Sequence, residues 1–232
     1  MPMFAGYQQT LLEADDPAVI AFTQGCQLDC WFCHNWRLIP VDRSVDRGDE
    51  LFSFLERDDV KQFFPLVIIS GGEPFIHGRK LSDALKRIRD LGYSIRIDTN
   101  GINYERIIDF YELGLYDSLA MDVKTGLNHE AGFYDDSLGF IRYGSVISNS
   151  IRHILDAGIP TYFRVVLTPK LVSAEDLIDI AGYIHPEVLH VHPFNHRTCR
   201  RTVSPYSRKE IEAIVEEVNR HSENVDWSQL WR

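Results

Sequence analysis

The feature that most constrains this chain is an alternation: a short, β-branched apolar run followed by a helical pattern, repeated along most of its length. Strands are predicted over 19–23, 66–70, 94–98, 118–123, 161–168 and 188–193. Helical patterns over 80–91, 104–113 and 148–157 stop at Gly92, Gly114 and Gly158. Ser173 opens another helix with Asp176 set for a capping box, and Ser207 does the same with Glu210. A first helix is read over about 49–58. Six such units in series predict parallel strands joined by right-handed crossovers. A closed eight-unit barrel takes about 250 residues, and this chain has 232. The expected fold is therefore α/β, an open partial (β/α)6 barrel of parallel strands, with a doubly wound sheet as the competing arrangement. No repeat or Pro/Gly-rich linker divides the sequence, so it reads as a single domain. Its core covers about 19–195, with a C-terminal helical segment over about 204–222.

Both arrangements collect chemistry beyond the C-terminal ends of the strands, and the motifs fall there. The first strand runs into Cys26, Cys30 and Cys33, three of the four cysteines. A Cys-x3-Cys-x2-Cys loop can wrap three thiolates around one corner of a cuboidal cluster. Full ligation of a 4Fe–4S cluster takes four cysteines, so three leave one iron an open position, as catalytic metal sites do. The rival is a structural zinc site with His34 or Cys199 as fourth ligand. The second strand ends in Gly71-Gly72-Glu73-Pro74, where glycines let a ligand approach the main chain and a carboxylate suits an ammonium group. Many strand-to-helix turns also use Gly-Gly for no such purpose.

The third strand ends in Asp98-Thr99-Asn100-Gly101, and the fourth carries Asp122-Val123-Lys124. Each fits an ordinary turn, but together they make a polar site whose oxygens suit a hard cation. Arg164 lies inside the fifth apolar strand and needs a partner there. A ligand carboxylate is one candidate, a neighbouring Asp or Glu the other. The sixth strand brings His190, His192, Asn195 and His196 around Pro193-Phe194. The stretch 125–144 is long and carries Phe133, Tyr134, Phe140 and Tyr143, which either cover the barrel or anchor a partner.

A net charge of −10 argues against a nucleic-acid binder and against docking on an anionic membrane surface. No apolar run approaches the roughly 20 residues that span a bilayer, and the first residues lack the basic start and apolar core of a secretion signal. A cytoplasmic location is the expectation. Clustered cysteines in such a chain point to metal or cluster binding rather than a disulfide framework.

On the cysteine loop with His34-Asn35 and on Gly71-Gly72-Glu73-Pro74, the chain resembles radical S-adenosylmethionine enzymes. Asp98-Thr99-Asn100-Gly101 and Asp122-Val123-Lys124 resemble the glycyl-radical-enzyme activating proteins. Gly6-Tyr7-Gln8-Gln9-Thr10 with Gln24-Gly25-Cys26 is most similar to those that activate anaerobic ribonucleoside-triphosphate reductase. The resemblance implies that Cys26, Cys30 and Cys33 ligate a 4Fe–4S cluster. Gly71, Gly72 and Glu73 would hold the methionine amino group of S-adenosylmethionine. Asn35, Lys124 and Arg164 would contact the same cosubstrate, Phe194 and Asn195 would lie at its adenosine, and Asp98, Thr99 and Asp122 would form a monovalent-cation site. It implies reductive cleavage to a 5′-deoxyadenosyl radical, a glycyl radical enzyme as partner, and flavodoxin or ferredoxin as electron donor. Trp36 departs from the family pattern, and the region from Cys199 onward matches nothing in it. The alternatives are a radical enzyme acting on a small molecule or peptide, such as a deazapurine synthase, and a non-enzymatic zinc-binding module. The short Cys26–Cys30 spacing weighs against the synthase.

Overall fold

The structure is a computed structural model that describes residues 2–14, 16–128 and 143–231. It is an α/β protein with an open, mostly parallel sheet whose eight strands follow one another in chain order. Packing divides the chain into two compact units. The first comprises Met1–Gln27, Arg37–Thr99 and Glu105–Ala120, the second Leu28–Trp36, Asn100–Tyr104 and Met121–Arg232.

In the first unit β1 (Phe4–Thr10) pairs antiparallel with β2 (Ala18–Thr23). β3 (Leu66–Gly71) and β4 (Ser94–Thr99) continue in parallel, with Ile20 opposite Ile68 and Ile68 opposite Arg96. Val19, Ile68, Ile69, Ile95 and Ile97 are wholly buried. Such near-continuous apolar runs are what a parallel strand covered on both faces requires. Around them pack α1 (Gly48–Leu55), α2 (Asp58–Phe63), α3 (Arg79–Asp90) and α4 (Tyr104–Glu112). The helix α3 buries Leu81, Ala84, Leu85 and Ile88, the one-stripe spacing of an amphipathic helix. It ends where the sequence places its stop. Gly92 takes a left-handed conformation (φ +82°), its N–H bonds the Arg89 carbonyl at 2.8 Å, and the Tyr93 N–H reaches back to Ile88 at 3.4 Å. The same pair of bonds closes α4 at Gly114 and Leu115.

β5 (Ser118–Asp122) is the fourth predicted strand. The second unit contains α5 (Tyr143–Asp156), β6 (Thr161–Leu167), α6 (Ala174–Ile184), β7 (Leu189–Pro193), α7 (Arg208–Asn219) and β8 (Val225–Asp226). β6, β7 and β8 run parallel, with Arg164 opposite His190 and His190 opposite Asp226. Both predicted capping boxes form, Ser173 with Asp176 and Ser207 with Glu210.

Several elements differ from expectation: the helix read over about 49–58 ends at Leu55 and is followed by a separate α2. β1 carries Gly6 and Gln8-Gln9 and lacks apolar alternation, so its strand character comes from pairing with β2. β8 is two residues long, too short to show any period. α5 begins at Tyr143 rather than Ser148, because Ser148 does not cap: its hydroxyl donates back to the Gly144 carbonyl at 2.7 Å. No helix among the described residues is long and apolar enough to cross a membrane.

Candidate active site

In the first unit, the strand that leads to Cys26 is held from several sides. The Gln24 side chain donates to the Val45 carbonyl at 2.6 Å and accepts the Asp42 N–H at 2.8 Å. The N–H groups of Gly25 and Cys26 bond the carbonyls of Leu38 and Ile39 at 2.7 and 3.2 Å. Against this segment lies the Gly-Gly turn. The Gly72 N–H donates to the Thr23 carbonyl at 2.9 Å and the Glu73 N–H to the Gly25 carbonyl at 2.7 Å. A Cβ on Gly71 would overlap the Thr23 backbone, and one on Gly72 the Gly25 carbonyl oxygen. Gly71 also sits at φ +111°, a region L side chains rarely adopt. The close approach these glycines permit is therefore made, in this structure, to the backbone just before Cys26.

Glu73 is fully buried. Its Oε1 accepts the Phe75 N–H at 3.1 Å and the Thr99 hydroxyl at 2.8 Å, so it caps the turn Pro74–His77 and ties it to the end of β4. Asp98 accepts the Ser70 hydroxyl at 3.1 Å and Arg96 Nε at 3.2 Å. His77, which sequence reading did not single out, bonds the Gln24 carbonyl through Nε2 at 2.7 Å. Burial, chiefly, pushes its pKa down.

In the second unit, Cys30 is buried and Cys33 half-buried, neither in a disulfide. They share a tight turn in which the Cys33 N–H donates to the Cys30 carbonyl at 3.1 Å. Burial pushes the Cys33 thiol up; the Lys124 ammonium and the Asn35 backbone N–H pull it the other way. Lys124 Nζ lies 2.8 Å from Asp122 Oδ2. Burial lowers the Lys124 pKa, but Asp122, Cys30 and Cys33 outweigh it and keep the ammonium charged. Arg164 pairs with the same carboxylate: Nε meets Oδ1, and Nη2 lies 3.2 Å from Oδ2. The neighbouring acidic partner of Arg164 is thus Asp122. Burial pushes the Asp122 carboxyl up, yet Arg164 and then Lys124 hold it well below the usual carboxylate range.

Asp98 and Asp122 thus each have a cationic partner from the chain, and a shared monovalent cation finds no support in these contacts. The Tyr143 hydroxyl accepts the Lys124 N–H at 2.6 Å, and its ring is buried, so this aromatic belongs to the core. Phe133, Tyr134 and Phe140 lie outside the described residues. His190 bonds Asp226 at 2.9 Å and stacks on Tyr162, whose hydroxyl is 3.3 Å from His192 Nε2. Phe194 packs edge-on against Trp31 at 6.1 Å, and Asn195 is exposed with its Oδ1 on the Arg197 N–H at 3.1 Å.

Among the described residues, no three His, Cys, Asp or Glu side chains are gathered as they would be around a metal ion. The donors nonetheless suit an iron–sulfur cluster. They are cysteine sulfurs outside any disulfide, the donors that iron–sulfur clusters take.

This chain belongs to the radical SAM superfamily, whose model matches residues 20–184. Among curated relatives, pyruvate formate-lyase-activating enzymes are 27% identical over 223 residues in Clostridium pasteurianum, covering 88% of each chain. In Streptococcus mutans the identity is 26% over 212 residues, covering 83% of this chain and 78% of the relative. A Methanocaldococcus jannaschii protein, provisionally named a glycyl-radical enzyme activating enzyme, is 27% identical over 168 residues, 71% of this chain and 67% of its own. The fold resembles native anSMEcpe with bound AdoMet, at TM-score 0.62 and 13% identity over 87% of this chain and 61% of that one.

Proposed function

We propose that this enzyme is a glycyl-radical-enzyme activating protein, and that its partner is an anaerobic ribonucleoside-triphosphate reductase. The observation that carries the reading is the tight turn that brings Cys30 and Cys33 together, the Cys33 N–H on the Cys30 carbonyl at 3.1 Å, in a chain that belongs to the radical SAM superfamily. Relatives named as pyruvate formate-lyase-activating enzymes support the activase class across most of the chain, and the reductase as partner rests on the resemblance of Gly6-Tyr7-Gln8-Gln9-Thr10 with Gln24-Gly25-Cys26. Cys26, Cys30 and Cys33 would hold the 4Fe–4S cluster. The chemistry such a cluster supplies when bound is one-electron cleavage of S-adenosylmethionine to methionine and a 5′-deoxyadenosyl radical.

The chain's own task is placement. Main-chain groups at Gly71, Gly72 and Glu73 would orient the methionine amino end, the Glu73 carboxylate being occupied in the turn. Asn35, Lys124 and Arg164 would meet the carboxylate end, where their charge balance is set by Asp122. Phe194 and Asn195 would border the adenosine. Positioning matters because the radical must find a glycine Cα–H within contact distance the moment it forms. A flavodoxin or ferredoxin would supply the electron.

The test is anaerobic incubation of the reconstituted enzyme with S-adenosylmethionine, reductant, and either anaerobic ribonucleoside-triphosphate reductase or pyruvate formate-lyase. An organic radical by electron paramagnetic resonance on the reductase is expected. A radical on pyruvate formate-lyase alone would move the assignment to that partner. Methionine release with no radical on either protein would refute the activase reading.

A further inference from the structure

The cysteine loop is tied down by a segment that follows the last long strand and lies beyond the matched family region, which ends at residue 184. From this segment the Arg200 N–H donates to the Trp31 carbonyl at 2.9 Å. The Arg200 guanidinium reaches the other side of the same turn: Nη2 donates to the Asp29 carbonyl at 2.8 Å and pairs with the Asp29 carboxylate. The Arg201 guanidinium sits 5.7 Å from the centre of the Trp31 ring, which also makes a T-shaped contact with Phe194 at 6.1 Å between centroids. Cys199, the fourth cysteine, turns its thiol to the carbonyls of His196 and Arg201 at 3.3 and 2.9 Å. It thereby helps shape the bend that presents Arg200. Asp29 and Trp31 flank Cys30, so the contacts of Arg200 and Arg201 fall on the turn that carries Cys30 and Cys33.

We propose that Arg200 is a positioning residue for the cysteine loop: by clamping Asp29 and Trp31 it presets the Cys30–Cys33 turn for a cluster. The physical need is plain. A ligand loop that is ordered before binding loses less conformational entropy when it binds, and ligand-orienting contacts outside the metal's own shell commonly alter affinity tenfold or more. The side chains of Arg200 and Asp29 are one-third and one-quarter exposed (33% and 24%). Their ion pair alone would be modest, so the weight falls on its combination with two main-chain carbonyl contacts. This role rests on the reading of Cys26, Cys30 and Cys33 as cluster ligands, but the ordering of the loop does not.

Two measurements separate them. The first uses the metal-free protein and follows amide hydrogen exchange over residues 28–36 in wild type, Arg200→Ala and Asp29→Ala. Exchange should quicken about fivefold to tenfold in each single variant, and no further in the double variant, because one clamp is being opened. The second reconstitutes the full chain with iron and sulfide and follows iron loss to a chelator, together with the paramagnetic resonance signature of the reduced cluster. Arg200→Ala should lose iron about tenfold faster and show a broadened signal, with Arg200→Lys in between.

If Arg200→Ala fails to fold, the charge-reversed pair Asp29→Arg with Arg200→Asp decides: recovery of exchange protection and iron retention supports the clamp. Unchanged exchange in Arg200→Ala, or in Asp29→Ala where Arg200→Ala does not fold, overturns it. Wild-type protein that binds no iron–sulfur cluster while Arg200→Ala still loosens the loop would refute the cluster reading and leave the clamp standing.

Discussion

Thr99, at the end of β4, donates its hydroxyl to Glu73, in the turn after β3, at 2.8 Å, and both side chains are buried. This bond joins two strand ends that the sequence offers as separate motifs. Replacing Thr99 by Val removes the donor and leaves a buried carboxylate oxygen short of one bond, at a cost of about 1–3 kcal/mol. Urea unfolding of Thr99→Val, Glu73→Gln and the double variant is the check. The double variant should cost clearly less than the two single costs together. Strict additivity would show that the two residues act independently.

Gly72 has a steric rather than a ligand-facing reason to be glycine in this structure. Because a Cβ there would overlap the Gly25 carbonyl oxygen, Gly72→Ala must push apart the β2 and β3 ends. A loss of about 2 kcal/mol or more is expected, as for overpacking in a tight core. Thermal or chemical unfolding reads it directly, and a change within about 0.5 kcal/mol, the range of ordinary surface substitutions, would contradict it.

Asp122 pairs with two cations at once. Its folded pKa lies below its unfolded value, so its contribution is present above the ordinary carboxylate range, about pH 4, and is lost as pH falls below that. Asp122→Asn should cost about 2–4 kcal/mol at neutral pH, since Lys124 and Arg164 lose their counter-charge. It should also flatten the decline in stability between about pH 4 and pH 2. Unfolding free energies measured across pH for both proteins test this. Parallel curves, merely offset, would mean that the carboxylate does not titrate against these cations.

The parallel strands and their helices were legible because their signals are local. Apolar β-branched runs mark β2 to β7, a glycine closes α3 and α4, and Ser173 and Ser207 cap α6 and α7 through a residue three positions on. The cysteine loop was legible for the same reason. What could not be read depends on partners distant in sequence. β1 needs β2, Arg164 finds Asp122 42 residues away, and Arg200 reaches Asp29 across 171 residues. No spacing rule links such pairs. Glu73 was visible as a motif residue, but its use as a turn cap depends on Thr99, 26 positions on.

Three cysteines, and not the fourth, would hold the cluster that we propose cleaves S-adenosylmethionine. The direct measurement is anaerobic reconstitution with iron and sulfide, chemical reduction, and mass-spectrometric assay of methionine and 5′-deoxyadenosine. Wild type and Cys199→Ala should each yield both products. Cys26→Ala, Cys30→Ala and Cys33→Ala should each yield neither. Products that survive loss of any one of those three cysteines, or that vanish with Cys199, would contradict the account.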